Sequence, residues 1–182
     1  MAKPRWKAFP HASKDFDYAG PALEKAWPRL HRGDCEPFPD AAGLKALVDA
    51  EPKLKPAMGL DEAATILQDA WRAYHRGDFA TAVELGQSVG LLGTNVAVKA
   101  TNIYATYLEE NEAAKLALFQ GSVERAEKLQ AATKKLANAY YLHAQALGRY
   151  SQGISIAKAL TQGLAGKVRA SLDTALALAP KH

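Results

Sequence analysis

The chain has 182 residues, the size of one ordinary domain, and 48% of them are hydrophobic, so the sequence can form a packed core. Its single cysteine, Cys35, excludes an intramolecular disulfide and is typical of a reducing compartment. The net charge of +4 is mildly basic, and no apolar run approaches the ~20 residues of a membrane helix. Because no apolar segment resembles a secretory signal either, we expect a cytoplasmic protein that does not insert into membranes.

Residues 1–19 combine prolines, aromatic residues and charges without a period, which indicates an irregular basic N-terminal arm before a helical domain at 20–182. Trp6 and Phe9 are candidates to anchor this arm. A basic arm can contact nucleic acid or anionic lipid, but short charge runs are usually solvated, so we expect no nucleic-acid partner. The basic residues are Lys3, Arg5, Lys7, His11 and Lys14.

Two helices are predicted before residue 52. Gly20-Pro21-Ala22 has the proline that is typical of a first helical turn, while Pro28 requires this helix to bend or to begin late. Phe38-Pro39-Asp40 precedes a second helix over about 40–50, which Pro52 ends.

Apolar periodicity predicts helices over most of the remaining chain. Asp61 is a suitable N-cap for a third helix, whose apolar stripe includes Ala63, Ala70 and Tyr74. Further helices are expected over about 79–91, 95–110, 112–132, 135–151 and 166–179, with a loop or short helix over 151–165. The resulting eight or nine helices, joined by short turns and without a strand, are expected to pack as antiparallel neighbours.

An internal repeat relates residues 24–34 to residues 68–78, 44 positions further on. Both stretches contain Ala, Trp, His, Arg, Gly and Asp at the same places. Similarity at a fixed offset is the signature of stacked structural repeats.

The second copy resembles the tetratricopeptide repeat. Ala70 corresponds to the small residue of the first helix, Gly77-Asp78-Phe79 to the turn, and Ala82 to the small residue of the second helix. The resemblance implies an all-α fold, an antiparallel helix-hairpin, right-handed solenoid. The repeats are irregular, because Gly86 replaces an aromatic residue and the offset of 44 exceeds the ~34 residues of the standard unit.

A second resemblance concerns the C-terminal third. Ala146-Leu147-Gly148-Arg149-Tyr150 and Gly163-Leu164-Ala165-Gly166-Lys167-Val168 are similar to segments of the tetratricopeptide-type T component of bacterial TRAP-like transporters. Those subunits bind ligands or partners and are often exported. The resemblance implies an alternative function, in which a helical-repeat subunit encloses a small or apolar ligand.

In tetratricopeptide proteins, one face of each first helix lines a concave groove. Carried over by register, the partner-binding face of this chain is expected to contain Trp71, Tyr74, His75, Asn102, Tyr141, Gln145 and Arg149. Trp27 and Trp71 are candidates for ligand stacking, although aromatic residues at helical spacing are more often core residues. The preferred interpretation is a scaffold that binds a protein or peptide through this groove.

Other patterns have simpler structural explanations. Arg32-Gly33-Asp34 and Arg76-Gly77-Asp78 spell an adhesion tripeptide, but both occupy the turn of the repeat. His31 and Cys35 have the spacing of metal ligands on a helix, but Gly33-Asp34 interrupts that helix, so no metal is expected.

No nucleotide-binding, zinc-protease or serine-hydrolase motif is present, so we expect neither an enzyme nor a cofactor. The last helix is rich in Ala and Leu, whereas the end of a solenoid needs a polar cap. We therefore expect the N-terminal arm, a second copy of the chain or further repeats to cover its outer face.

Overall fold

Nine α-helices form in the computed structural model, which describes residues 6–11 and 13–180. They are α1 Ala22–Leu30, α2 Ala41–Ala50, α3 Leu60–His75, α4 Phe79–Ser88, α5 Thr94–Tyr107, α6 Glu112–Ala132, α7 Ala137–Gln152, α8 Ile156–Thr161 and α9 Leu164–Leu178. Short 3-10 turns at Lys14–Phe16, Pro52–Leu54 and Gly90–Gly93 complete the elements, and no strand occurs in the described residues. The prediction of an all-helical protein is confirmed.

Side-chain caps determine where several helices begin. Asp40, Asp78 and Asn111 each accept a hydrogen bond from the backbone N–H three residues later, which satisfies an otherwise unpaired donor of the first turn. Asp61 does not have the capping role predicted for it. Gly59 precedes α3, and Asp61 lies inside the first turn, where its negative charge favours the helix dipole.

The helices from α3 onward pack in chain order. Each of α3 to α6 packs against the next helix, α7 packs against α9, and α8 is a short connection before α9. The alternate helices α3, α5 and α7 also pack on one another, so that they form one row, which we call the inner row.

A backbone contact explains the unusual glycine in α4. A Cβ atom built on Gly93 would lie 1.9 Å from the carbonyl oxygen of Gly86, and one built on Gly86 would lie 2.8 Å from the carbonyl oxygen of Gly93. The turn between α4 and α5 therefore brings two main chains together where no side chain fits. This close approach accounts for the departure from the aromatic residue that the repeat pattern prefers at position 86.

Aromatic residues attach the N-terminal arm to the helices. Trp6 stacks on Tyr104 of α5, with ring centroids 4.1 Å apart, and Phe9 packs edge-on against Phe79. Phe9 also lies where a Cβ atom of Gly77 would be, and Gly77 has a φ of 86°, so the predicted glycine turn is confirmed. Of the basic cluster, Lys3 and Arg5 lie outside the described residues.

The outer face of α9 is not covered by the described part of the arm. Leu172, Leu176 and Leu178 are 40%, 52% and 40% exposed, and Ile156 and Leu160 of α8 are exposed as well. Within residues 6–11 and 13–180, none of the helices combines the length and the apolarity needed to cross a lipid bilayer.

Candidate functional site

Residues 31–39, which we call the docked segment, connect α1 to α2 and lie against the inner row. The first helix ends at Leu30, and His31 is its C-cap. Cys35 has a φ of 47°, a left-handed conformation that non-glycine residues rarely adopt. The side chain of Gln68 on α3 donates to the carbonyl oxygen of Pro39 at 3.1 Å and so holds the far end of the segment.

Glu36 carries contacts that span up to 102 residues of the chain. Asn95 Nδ2 on α5 donates to both carboxylate oxygens, at 3.1 and 3.0 Å, and Asn138 Nδ2 on α7 donates to Oε2. Trp27 Nε1 donates to the backbone carbonyl of Glu36 at 2.7 Å. One residue of the docked segment therefore joins α1, α5 and α7.

Burial raises the pKa of the Glu36 carboxyl to about 7, although the two asparagine hydrogen bonds stabilise its ionised form. Among the described residues, no ammonium, guanidinium or imidazole group forms an ion pair with it. The charge of Lys99 acts on it and lowers its pKa, but Lys99 is bound to Asp34. The Oδ1 atom of Asn95 is also buried and has no hydrogen-bond partner among residues 6–11 and 13–180. Glu36 as a whole residue is half-buried, but its carboxyl is desolvated and, within the described part of the chain, has no counter-ion.

A second polar group surrounds Asp34. His31 Nδ1 lies 3.0 Å from Asp34 Oδ1, and Lys99 Nζ donates to Asp34 Oδ2. Burial acts to raise the pKa of Asp34, but the hydrogen bond from His31 and the Lys99 charge outweigh it and hold that pKa well below the ordinary value. Asp34 is therefore an ion-paired carboxylate, in contrast to Glu36.

His31 and His75 extend the polar cluster around Asp34. Burial lowers the pKa of His31 and lowers that of His75 to about 3, with further lowering from His31 and Lys99 at His75. Both rings are therefore neutral at pH 7. His31 Nδ1 then donates to Asp34, and its Nε2 accepts from His75 Nε2 at 3.3 Å, the tautomer assignment that satisfies both contacts.

A cavity of about 170 Å³ lies beside Glu36, between α2 and the inner row. Its walls are mostly apolar side chains, and Glu36 and Asn95 are the polar side chains among them. The lining residues are Glu36, Pro37, Phe38, Pro39, Gly43, Leu44, Leu47, Trp71, Leu91, Leu92, Asn95, Val96, Leu129 and Leu136. An apolar wall with few polar groups is typical of small-molecule sites.

The partner-binding residues predicted from the sequence fall into separate places. Trp71 and His75 lie against Trp27 and His31, and Trp71 is only 3% exposed. Tyr74 lies between Phe79 and Lys99 instead. The predicted contact of these residues with a partner stays a prediction.

The remaining predicted residues lie further along the inner row. Asn102 is buried and donates to Gln145 Oε1 at 3.0 Å. Tyr141 is half-buried, and Arg149 is exposed and donates to Gln152 at 3.2 Å. Their predicted role in binding likewise stays a prediction.

The sequence interpretation did not single out Glu36, Asn95, Asn138 or Lys99. One local signal was present, because Glu36 is a charged residue next to the apolar stretch Pro37-Phe38-Pro39. His31 and Cys35 were considered as a metal-ligand pair, but the structure directs His31 to Asp34 and His75. The described residues contain no group of three or more His, Cys, Asp or Glu side chains arranged to hold a metal ion.

A comparison with protein families, with curated proteins and with solved structures found no match to this chain.

Proposed function

We propose that this protein is a tetratricopeptide-like helical-repeat protein that binds a small molecule with an apolar body in the cavity beside Glu36. The packing of α3, α5 and α7 in one row supports the repeat architecture, because first helices of stacked hairpins pack in this way. The observation that carries the proposed function is the cavity itself, with its apolar walls and one buried carboxyl.

The volume of the cavity limits the size of the ligand that can bind in it. An apolar protein cavity of roughly 150 Å³ holds a benzene molecule. A cavity of about 170 Å³ therefore suits one aromatic ring, or an aliphatic group of similar size, with a short substituent. This size agrees with the small apolar ligand that the transporter-associated resemblance implies.

Binding is favoured over catalysis by the way the histidines are used. A histidine that acts as a general base needs a ring nitrogen that can reach a substrate. Both nitrogens of His31 face other side chains, and the low pKa of His75 makes it a weak base. We therefore propose a binding protein and not an enzyme.

A cavity-filling substitution tests this proposal. Leu47 lines the cavity from α2, so Leu47→Trp is expected to fill it and abolish uptake of a probe such as indole or toluene. Ala46→Trp, at an exposed position of the same helix, is the matched control and is expected to bind as the unmodified protein does. Binding is measured by ligand-observed NMR, and equal binding by both variants would show that the probe sits elsewhere.

The second candidate function is the binding of a protein or peptide by the inner row. The docked segment favours it, because this face already holds a non-helical stretch of chain through Lys99, Asn95 and Asn138. A peptide partner would use the same face after displacing the segment. Replacement of Tyr141, Gln145 and Arg149 by alanine is expected to reduce capture of such a partner in a pull-down, and unchanged capture would reject the inner row as its site.

A further inference from the structure

Glu36 and Asn95 are the polar residues in the lining of an otherwise apolar cavity. A carboxylate can accept about four hydrogen bonds. Asn95 supplies two of them and Asn138 a third, so one acceptor position is left after the protein donors are counted. The cavity is the space next to this group that a ligand can enter.

We propose that the ligand carries a protonated amine, which pairs with Glu36 while its apolar body fills the cavity. This inference rests on the proposed function and adds the chemical class of the ligand, a small aromatic or aliphatic ammonium ion.

The charge balance around the docked segment supports this class. Moving an ionised carboxylate out of water without a counter-ion is costly, and a paired cation removes much of that cost. Asp34 has such a cation in Lys99, whereas Glu36 has neutral amide donors alone among the described residues. A cation from outside is therefore the group that completes the site.

The protonation state of Glu36 before an amine binds gives a second consequence. Burial raises the pKa of Glu36 to about 7, so at neutral pH its carboxyl holds a proton in a large fraction of the molecules. An ammonium ion that pairs with the carboxylate stabilises the ionised form and expels this proton. Binding of the amine is therefore expected to release protons near neutral pH, and to become stronger as the pH rises from about 5.5 to about 8.

Two probes of equal size separate charge from shape. Benzylamine and benzyl alcohol share the ring and differ in the polar group, which is an ammonium in the first and a neutral hydroxyl in the second. In the unmodified protein, we expect benzylamine to bind at least about tenfold more tightly than benzyl alcohol, the factor for one hydrogen bond between charged groups. Calorimetry in buffers of different ionisation enthalpy measures both the affinity and the protons released.

Glu36→Gln and Glu124→Gln provide the matched pair of variants. Glu124 is an exposed residue of α6, so Glu124→Gln removes the same charge without changing the cavity. Glu36→Gln is expected to lose the preference for benzylamine and the proton release, while its affinity for benzyl alcohol changes by less than about twofold. The pH dependence in the unmodified protein needs no variant and so does not depend on how Glu36→Gln folds.

The outcomes separate this inference from the function on which it rests. If both probes bind with equal affinity and without proton release, the assignment to amines is wrong while the small-molecule cavity stands. If neither probe nor an apolar compound binds, the proposed function is wrong and the assignment to amines is wrong with it.

Discussion

Replacing Glu36 by glutamine is expected to change how the stability of the protein depends on pH. The ordinary pKa of a glutamate is 4.5, and burial raises that of Glu36 to about 7 in the folded protein. Between these two values, the folded protein binds a proton that the unfolded chain has released. The contribution of Glu36 to the free energy of unfolding is therefore complete below about pH 4.5 and is lost as the pH rises to about 7.

The magnitude follows from the two pKa values. A tenfold change in an ionisation constant corresponds to about 1.4 kcal/mol, so a rise from 4.5 to about 7 corresponds to a loss of up to about 3 kcal/mol. Glu36→Gln has no ionisable group at this position and does not undergo this loss. Relative to the unmodified protein, the variant should gain up to about 3 kcal/mol between about pH 4.5 and pH 8.

Urea unfolding followed by circular dichroism at several pH values measures this difference. At each pH, the unfolding free energy of the variant is subtracted from that of the unmodified protein. This difference removes the contributions of the other titrating groups, including His31 and His75, whose effects on stability have the opposite sign. Glu124→Gln is the control, and its stability should depend on pH in the same way as that of the unmodified protein. Parallel profiles for Glu36→Gln as well would refute the conclusion that a buried carboxyl without a counter-ion is present.

Three further predictions concern other parts of the molecule. Burial lowers the pKa of His75 from 6.5 to about 3, so the stability that His75 contributes is present above about pH 6.5 and is lost as the pH falls toward 3. Replacing His75 by glutamine should therefore reduce the loss of unfolding free energy in acid by about 3 kcal/mol at about pH 4.5. Urea unfolding measures this difference. Gly93→Ala should destabilise the protein by more than about 2 kcal/mol, because the new Cβ atom would overlap the carbonyl group of Gly86. Gly148→Ala is the control: this glycine lies in open space within a helix, so the change should stabilise the protein by about 0.5–1 kcal/mol. Equal melting temperatures for the two variants would contradict the close contact between Gly86 and Gly93. Leu176→Lys should change the stability by no more than the roughly 0.5 kcal/mol that is typical of surface substitutions, and it should weaken retention on a hydrophobic-interaction column. A clear fall in the melting temperature would show that this leucine is packed.

The helices of residues 60–88 could be predicted from the sequence because their signals are local. The apolar stripe of α3, the glycine at 77 and the cap at Asp78 act over a few residues, and each is visible in the sequence alone. The same holds for the second helix before Pro52. The predicted cap at Asp61 was wrong by less than one helical turn, because α3 begins after Gly59.

The site beside Glu36 could not be predicted because its contacts join distant parts of the chain. Glu36 meets Asn95 and Asn138 at separations of 59 and 102 residues. No periodicity relates these positions, and an asparagine on a helix is usually interpreted as a surface residue. The repeat pattern predicts an open groove, whereas the structure places residues of the same chain against that face, as the contacts of Asp34 with Lys99 show.

The long sequence separation of these contacts also has a consequence for the order of folding. The hairpins from α3 to α7 join neighbours in the sequence, and such local contacts form quickly. The docked segment must instead close loops of 59 to 102 residues, which is entropically costly. We therefore expect the backbone amides of α1 and the docked segment to exchange hydrogen for deuterium sooner than those of α5 and α7, in a partial opening that leaves the remaining helices folded.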